Sequence, residues 1–244
     1  MKIVIAESYK AMSDITFELV VEQIRERRRA VLALPTGNTP LGLYKNLVKA
    51  FKQKKVSFKQ VKTFNLDEYI GLEKDNRHSF SFFLKKNLID RVDLNPKNIF
   101  ATDGKAKSLG NEVKKYENLI RKQGGIDLAI LGIGLDGHIA FNEPGSKFNS
   151  KTRVVKLTEK TRRSNSQYFS GFNKVPRRAI TMGLGTIMKS KKIILIASGE
   201  SKAKIVKQAL MGKITKSVPA SILQKHKNLL VILEKEAARY LVEK

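Results

Sequence analysis

Short apolar runs, each passing through a tight loop into an amphipathic stripe, recur along this chain. KIVIA at residues 2–6 leads into a stretch, residues 9–29, in which Phe17, Val20, Val21 and Ile24 stand at i, i+3, i+4 and i+7. The run at 30–34 leads through PTGNTP into Tyr44, Leu47, Val48 and Phe51, again on helical spacing. A strand that feeds directly into a helix reaches its next strand by a crossover, and crossovers join parallel neighbours. The pattern therefore predicts an α/β fold with a mostly parallel central sheet. Further strands are expected at 61–66, in the apolar run from Ile126, and at 153–157, 179–183, 191–197 and 229–233. Helices are expected near 79–89, 108–122 and 159–169, after Ser198-Gly199, and in the VPASILQKH stretch. With 244 residues, 41% of them hydrophobic, and no repeat or linker, the reading is one domain over residues 1–244.

The formal net charge of +26 raises the question of a nucleic acid or an anionic membrane. Lysine far outnumbers arginine and is spread through nearly every expected helix, whereas readers of bases and phosphates concentrate arginine on one element. The tight basic clusters, 25–29 and 52–55, fall at expected helix C-termini, where cations complement the dipole. The surface thus reads as solvated lysine, with no nucleic-acid partner but a field that draws in a small anionic substrate. No apolar run approaches a membrane span, so no membrane partner is expected. Cysteine is absent, which removes disulfides and thiol nucleophiles, and MKIVIAESYK turns polar too soon for a signal peptide. A cytoplasmic protein is the expectation.

Residues 131–145, LGIGLDGHIAFNEPG, follow a strand, and 132–143 pack three glycines, two carboxylates and a histidine together. Gly132, Gly134 and Gly137 are expected to permit positive φ angles and close approach of a ligand, while Asp136, His138 and Glu143 supply proton-transfer groups. The same letters satisfy GxGxxG. A dinucleotide site, however, needs a helix to start at the third glycine; here Pro144 follows soon after, and Asp136 sets an anion against the phosphates. A metal is not expected, because His78, His138 and His226 are scattered and no HExxH or paired-cysteine spacing exists. P-loop and GxSxG motifs are also missing. Thr36, Gly37, Asn38 and Thr39 at a helix start offer hydroxyls and N–H groups to a phosphate, with a turn plus helix cap as the plainer alternative. Asp67 and Glu68 come just past a strand, on the edge where open α/β sheets bind ligands. Lys202, a cation in a helix's first turn, opposes the dipole and is either an anion ligand or one more surface lysine. Acid and base chemistry by Asp67, Asp136, His138 and Glu143 beside an anion pocket is what remains.

Taken together, LPTGNTP, TFNLDEYIGL, LGIGLDGHIAFNEPG, TRRSNSQYF and VPASILQKH resemble the glucosamine-6-phosphate deaminase family. The related 6-phosphogluconolactonases share the fold and the glycine-rich phosphate loop but not the DEY and DGHIAFNEP pairings together. The resemblance implies a Rossmann-like three-layer sandwich. It implies a cofactor-free enzyme, monomeric or homo-oligomeric, that converts glucosamine 6-phosphate and water to fructose 6-phosphate and ammonia. His138 would move a proton between ring oxygen and anomeric hydroxyl, held in orientation by Asp136 and Glu143, and Asp67 would remove the C2 proton. Substrate binding falls to Thr36, Gly37, Asn38, Thr39, Gly137 and Lys202. Two alternatives stay open, an enzyme for another amino-sugar phosphate such as galactosamine 6-phosphate and a non-catalytic sugar-phosphate sensor. The chain departs from the family pattern at Asn38, where many members have glycine or serine, and at Gln167, where the family usually has an arginine that ligates phosphate.

Overall fold

The structure is a computed structural model that describes residues 1–242. Ten strands are formed: β1 (Lys2–Ala6), β2 (Val31–Leu34), β3 (Lys62–Asn65), β4 (Asp67–Tyr69), β5 (Ile99–Phe100), β6 (Leu128–Leu131), β7 (Arg153–Lys156), β8 (Arg178–Thr181), β9 (Lys192–Ala197) and β10 (Leu229–Glu234). The main helices are α1 (Tyr9–Glu26), α2 (Leu41–Lys52), α3 (Phe80–Asn87), α4 (Leu109–Lys122), α5 (Glu159–Asn165), α6 (Leu184–Ile187) and α7 (Ala203–Met211). Seven strands make one parallel sheet in the order β1-β10-β9-β6-β2-β3-β5.

The apolar runs are continuous rather than alternating because both faces of this sheet are covered. In β9, Ile193 and Leu195 face Tyr116 and Ile120 of α4 and Val206 and Leu210 of α7, while Ile194 and Ile196 face Val20 and Ile24 of α1 and Leu47 and Val48 of α2. Each fully buried side chain of this size stabilises the fold by about 1.5–3 kcal/mol. Helices on both faces of a parallel sheet give the expected three-layer sandwich. α1 starts where Ser8 accepts a hydrogen bond from the Ala11 N–H at 3.1 Å, a side-chain cap for an otherwise orphaned donor. Among the described residues, no helix is long and apolar enough to cross a membrane.

Two expected strands lie elsewhere. Residues 153–157 and 179–183 do contain β7 and β8, but these join β4 in a separate three-stranded antiparallel sheet, ordered β4-β8-β7. Their apolar residues serve a small cluster of Tyr69, Phe141, Leu157, Val175 and Ala179, with Val155 against it. Hydrophobic spacing reports burial, not the partner strand. The helix expected over 159–169 stops at Asn165 and continues as a 3-10 turn, Ser166–Tyr168, and β5 is too short to show as an apolar run.

The topology creates a cleft. From β2 the chain moves on to β3, on one side, and β9, the next main-sheet strand after β6, lies on the other, although β2 and β6 are neighbours. Loops leaving two adjacent parallel strands in opposite directions open a crevice at their carboxyl ends. The four consecutive strands β9, β6, β2 and β3 therefore deliver residues 198–202, 132–138, 35–40 and Asp67 to one edge of the sheet.

Candidate active site

After β6 the chain folds back on itself, with the Gly134 N–H donating to the His138 carbonyl at 2.9 Å. Asp136 lies inside this loop, its Oδ1 2.6 Å from His138 Nδ1 and 3.2 Å from the His138 backbone N–H. Burial works against ionisation of Asp136, but these donors and the imidazole charge outweigh it and bring its pKa down to about 2. With a carboxylate as acceptor, Nδ1 carries the ring proton and Nε2 is left to give or take one.

The glycines serve different purposes from the one the sequence suggested. Of the three, only Gly137 has positive φ, at 82°. Gly134 is required by space: a Cβ there would stand 2.1–2.5 Å from three atoms of the His138 ring. The imidazole lies flush on a backbone that has no side chain.

Lys202 comes from the loop after β9, and its Nζ donates to the Ile133 carbonyl at 2.8 Å. Burial lowers its pKa while the Asp136 charge opposes the drop. The ammonium is thus tied to the histidine loop. In the loop after β2, the hydroxyl of Tyr9 donates to the Asn38 carbonyl at 3.1 Å and accepts from the Gly42 N–H at 2.8 Å. Gly37 sits at φ +92°, and no side chain caps the start of α2. Among the described residues, no side-chain hydrogen bond ties down Thr36 or Thr39.

Asp67, just past β3 as expected, begins β4 and stands opposite Thr181 of β8. Thr181 Oγ1 accepts from the Phe141 N–H at 3.1 Å, and the Met182 N–H donates to the Leu66 carbonyl at 2.7 Å. Those contacts bring the Asp67 strand against the chain that continues from His138. Asp67 is 8% exposed, and burial, with the charge of Glu68 added, pushes its carboxyl well above the usual range. Next to it, Tyr69 packs among Phe80, Phe141 and Phe169 and accepts a hydrogen bond from Asn165 at 2.8 Å.

Glu143 makes its side-chain hydrogen bonds elsewhere. It was expected to help orient His138, yet its carboxylate accepts from the Thr158 N–H at 3.0 and 3.2 Å and from the Thr158 hydroxyl at 2.7 Å. Among the described residues the His138 ring is hydrogen-bonded to Asp136. Thr158 also caps α5, so Glu143 fastens the chain beyond His138 to the start of that helix. Sequence reasoning missed Thr158, although a threonine just before a helix that opens with an acidic residue is an N-cap signal. It also missed Asn142, buried with its amide on the Ile139 and Met182 carbonyls and its oxygen on Arg153 at 2.8 Å. His226 is a satisfied core histidine on the Ser190 carbonyl, and His78 stacks on Phe169.

A model of the family described as glucosamine-6-phosphate isomerases/6-phosphogluconolactonase matches residues 6–232. A glucosamine-6-phosphate deaminase of Thermoanaerobacter sp. (strain X514) is 48% identical over 98% of this chain and 94% of its own length. One from Clostridium botulinum (strain Eklund 17B / Type B) is 46% identical over 99% and 97%. The solved structure of a monomeric glucosamine-6-phosphate deaminase superposes with a TM-score of 0.96 at 40% identity, covering 98% of this chain and 99% of that one. A 6-phosphogluconolactonase from Trypanosoma brucei, 21% identical with a TM-score of 0.77, shares the fold. The matched segment takes in every loop of the cleft, and the chain belongs to the family of glucosamine-6-phosphate isomerases and 6-phosphogluconolactonases.

Proposed function

We propose that this protein is a glucosamine-6-phosphate deaminase, converting glucosamine 6-phosphate and water to fructose 6-phosphate and ammonia. The observation that carries the reading is the pairing, in one cleft, of an aspartate-bound histidine with a buried carboxylate that lacks a cation. The nearly full-length relatives bearing that activity support it.

The substrate arrives as a closed pyranose. His138, with Nδ1–H fixed on Asp136, uses Nε2 to move a proton from the anomeric hydroxyl to the ring oxygen as the C1–O5 bond breaks. Asp67 then removes the proton from C2, giving an enolamine, and the proton returns at C1. That leaves an imine at C2, which water hydrolyses to the ketone as ammonia departs. A carboxylate with a raised pKa is the stronger base for this task. Thr36, Gly37, Asn38, Thr39 and Lys202 hold the phosphate while the chain is open, and Gly137 lets the backbone approach the sugar. Glu143 keeps α5 and the residues after it against the cleft. A sugar-phosphate sensor would have no use for a histidine with its proton held in place. An enzyme fed by phosphorylated sugar belongs in the cytoplasm, where such charged substrates are confined.

Purified protein incubated with glucosamine 6-phosphate should release ammonia and fructose 6-phosphate in equal amounts. Galactosamine 6-phosphate, its C4 epimer, is the control. Release from the galacto sugar alone would assign the enzyme to that substrate, and release from neither would reject the deaminase reading.

A further inference from the structure

Glu68 is buried at 1% exposure, beside the proposed base, and takes no part in the mechanism above. Four donors converge on it. Oε1 accepts from the N–H groups of Tyr69 at 2.9 Å and Phe80 at 3.0 Å, and Oε2 from the N–H and hydroxyl of Ser81, both at 2.8 Å. Phe80 and Ser81 open α3, so two of these donors are first-turn N–H groups without helical partners, at the positive end of the dipole. Asp67, one residue away, receives no hydrogen bond on its carboxylate from any described residue.

We propose that Glu68 is a positioning residue for the base, an anion fixed by four donors at the start of α3 whose negative charge beside Asp67 makes Asp67 the stronger proton acceptor. The inference rests on reading Asp67 as the group that removes the C2 proton. Two neighbouring carboxylates away from water do not both ionise readily, and the proton goes to the one with fewer donors. Burial raises both groups; the four bonds pull Glu68 back, and its charge pushes Asp67 further. Asp67 is thereby the readier of the two carboxylates to take up a proton. The surrounding groups do not offset this arrangement. Tyr69 on the same strand and Tyr116 on α4 are phenols whose pKa burial raises, and Thr181 on β8 is uncharged. The cations of α3, Lys85 and Lys86, lie in its last turn, at the end away from Glu68.

A mere helix cap would predict something different, and three measurements separate the two. Glu68→Gln removes the charge, and the acid limb of kcat/KM should move to lower pH by about one unit, with turnover falling as the base weakens. Ser79→Ala removes the side-chain cap of α3, which bonds the Phe82 N–H at 2.9 Å, without touching Glu68. It should lower Tm as a lost cap does and leave the acid limb in place. If Glu68→Gln lowers Tm with an unmoved acid limb, Glu68 is only a cap and the proposal falls. Carboxyl ¹³C titration of the wild type by NMR should show Glu68 ionising at lower pH than Asp67, and the reverse order overturns the proposal even if Glu68→Gln does not fold. That titration needs no substrate, so its outcome is separate from whether ammonia is released.

Discussion

Restoring an arginine at position 167 should tighten substrate binding and leave chemistry alone. Gln167 lies in the 3-10 turn after α5, exposed, with its amide donating to the Ser164 carbonyl at 2.9 Å. The neighbouring arginines are committed elsewhere. Arg162 donates to the carbonyls of Phe172 and Val175 at 3.2–3.3 Å and lies 4.2 Å over the Phe172 ring, and Arg163 pairs with Glu159. Lys202, proposed as a phosphate ligand, donates to the Ile133 carbonyl. A guanidinium fork adds charge-assisted bonds of about 1.5–3 kcal/mol each, and ordering an exposed arginine costs up to about 2 kcal/mol. A net gain of about 1.4–2 kcal/mol corresponds to roughly ten- to thirtyfold. Because the phosphate does not react, the gain is equal in ground and transition states and appears in KM. Initial rates of ammonia release should show Gln167→Arg lowering KM about tenfold with kcat within about twofold. The wild type's KM should rise with salt, since diffuse attraction carries more of its binding. An unchanged KM in the variant would refute the placement of the phosphate beside this turn.

Three other substitutions follow from the same geometry. Asp67 has a folded pKa above its unfolded value, so its contribution to stability is greatest below the unfolded pKa and is lost as pH rises through the folded one. Asp67→Asn should therefore raise Tm at pH 8 by about 2–4 °C, with the gain gone near pH 3, and a lower Tm at pH 8 would contradict the account. Asp136 has the opposite sign: its folded pKa of about 2 stabilises the protein above the unfolded value and that stability fades as pH falls through the folded one, so Asp136→Asn should lower Tm at pH 7 in a thermal melt. Gly134→Ala puts a methyl group 2.1–2.5 Å from the His138 ring, and displacing the imidazole should cut kcat by at least about a hundredfold in the ammonia assay. Near wild-type turnover in that variant would show that the ring is not used where it lies.

The layers of the sandwich were legible because strands buried on both faces leave unbroken apolar runs, and KIILIA at β9 is such a run. Strand order was not, since β7 and β9 look alike to hydrophobic spacing although they join different sheets. The histidine loop stood out through its glycines, but why Gly134 must be glycine depends on where the imidazole lies. For Glu143 the family resemblance implied a role in orienting His138. Its hydrogen bond to Thr158, brought to it by the turn into α5, was not legible. Glu68 was visible beside Asp67 in DEY, yet adjacent carboxylates are common on surfaces. Only the arrival of α3's first turn distinguishes this pair.

That Asp67 is the base is tested most directly with glucosamine 6-phosphate deuterated at C2. Proton NMR would follow breakage of the C2–D bond while ammonia is measured in the same sample, for the wild type and for Asp67→Asn, with Tm showing that both are folded. In the wild type the bond should break as fast as ammonia appears. In Asp67→Asn both rates should fall together by at least about a hundredfold, the scale of a lost general base. A folded Asp67→Asn protein that breaks the C2–D bond at the wild-type rate would contradict the account.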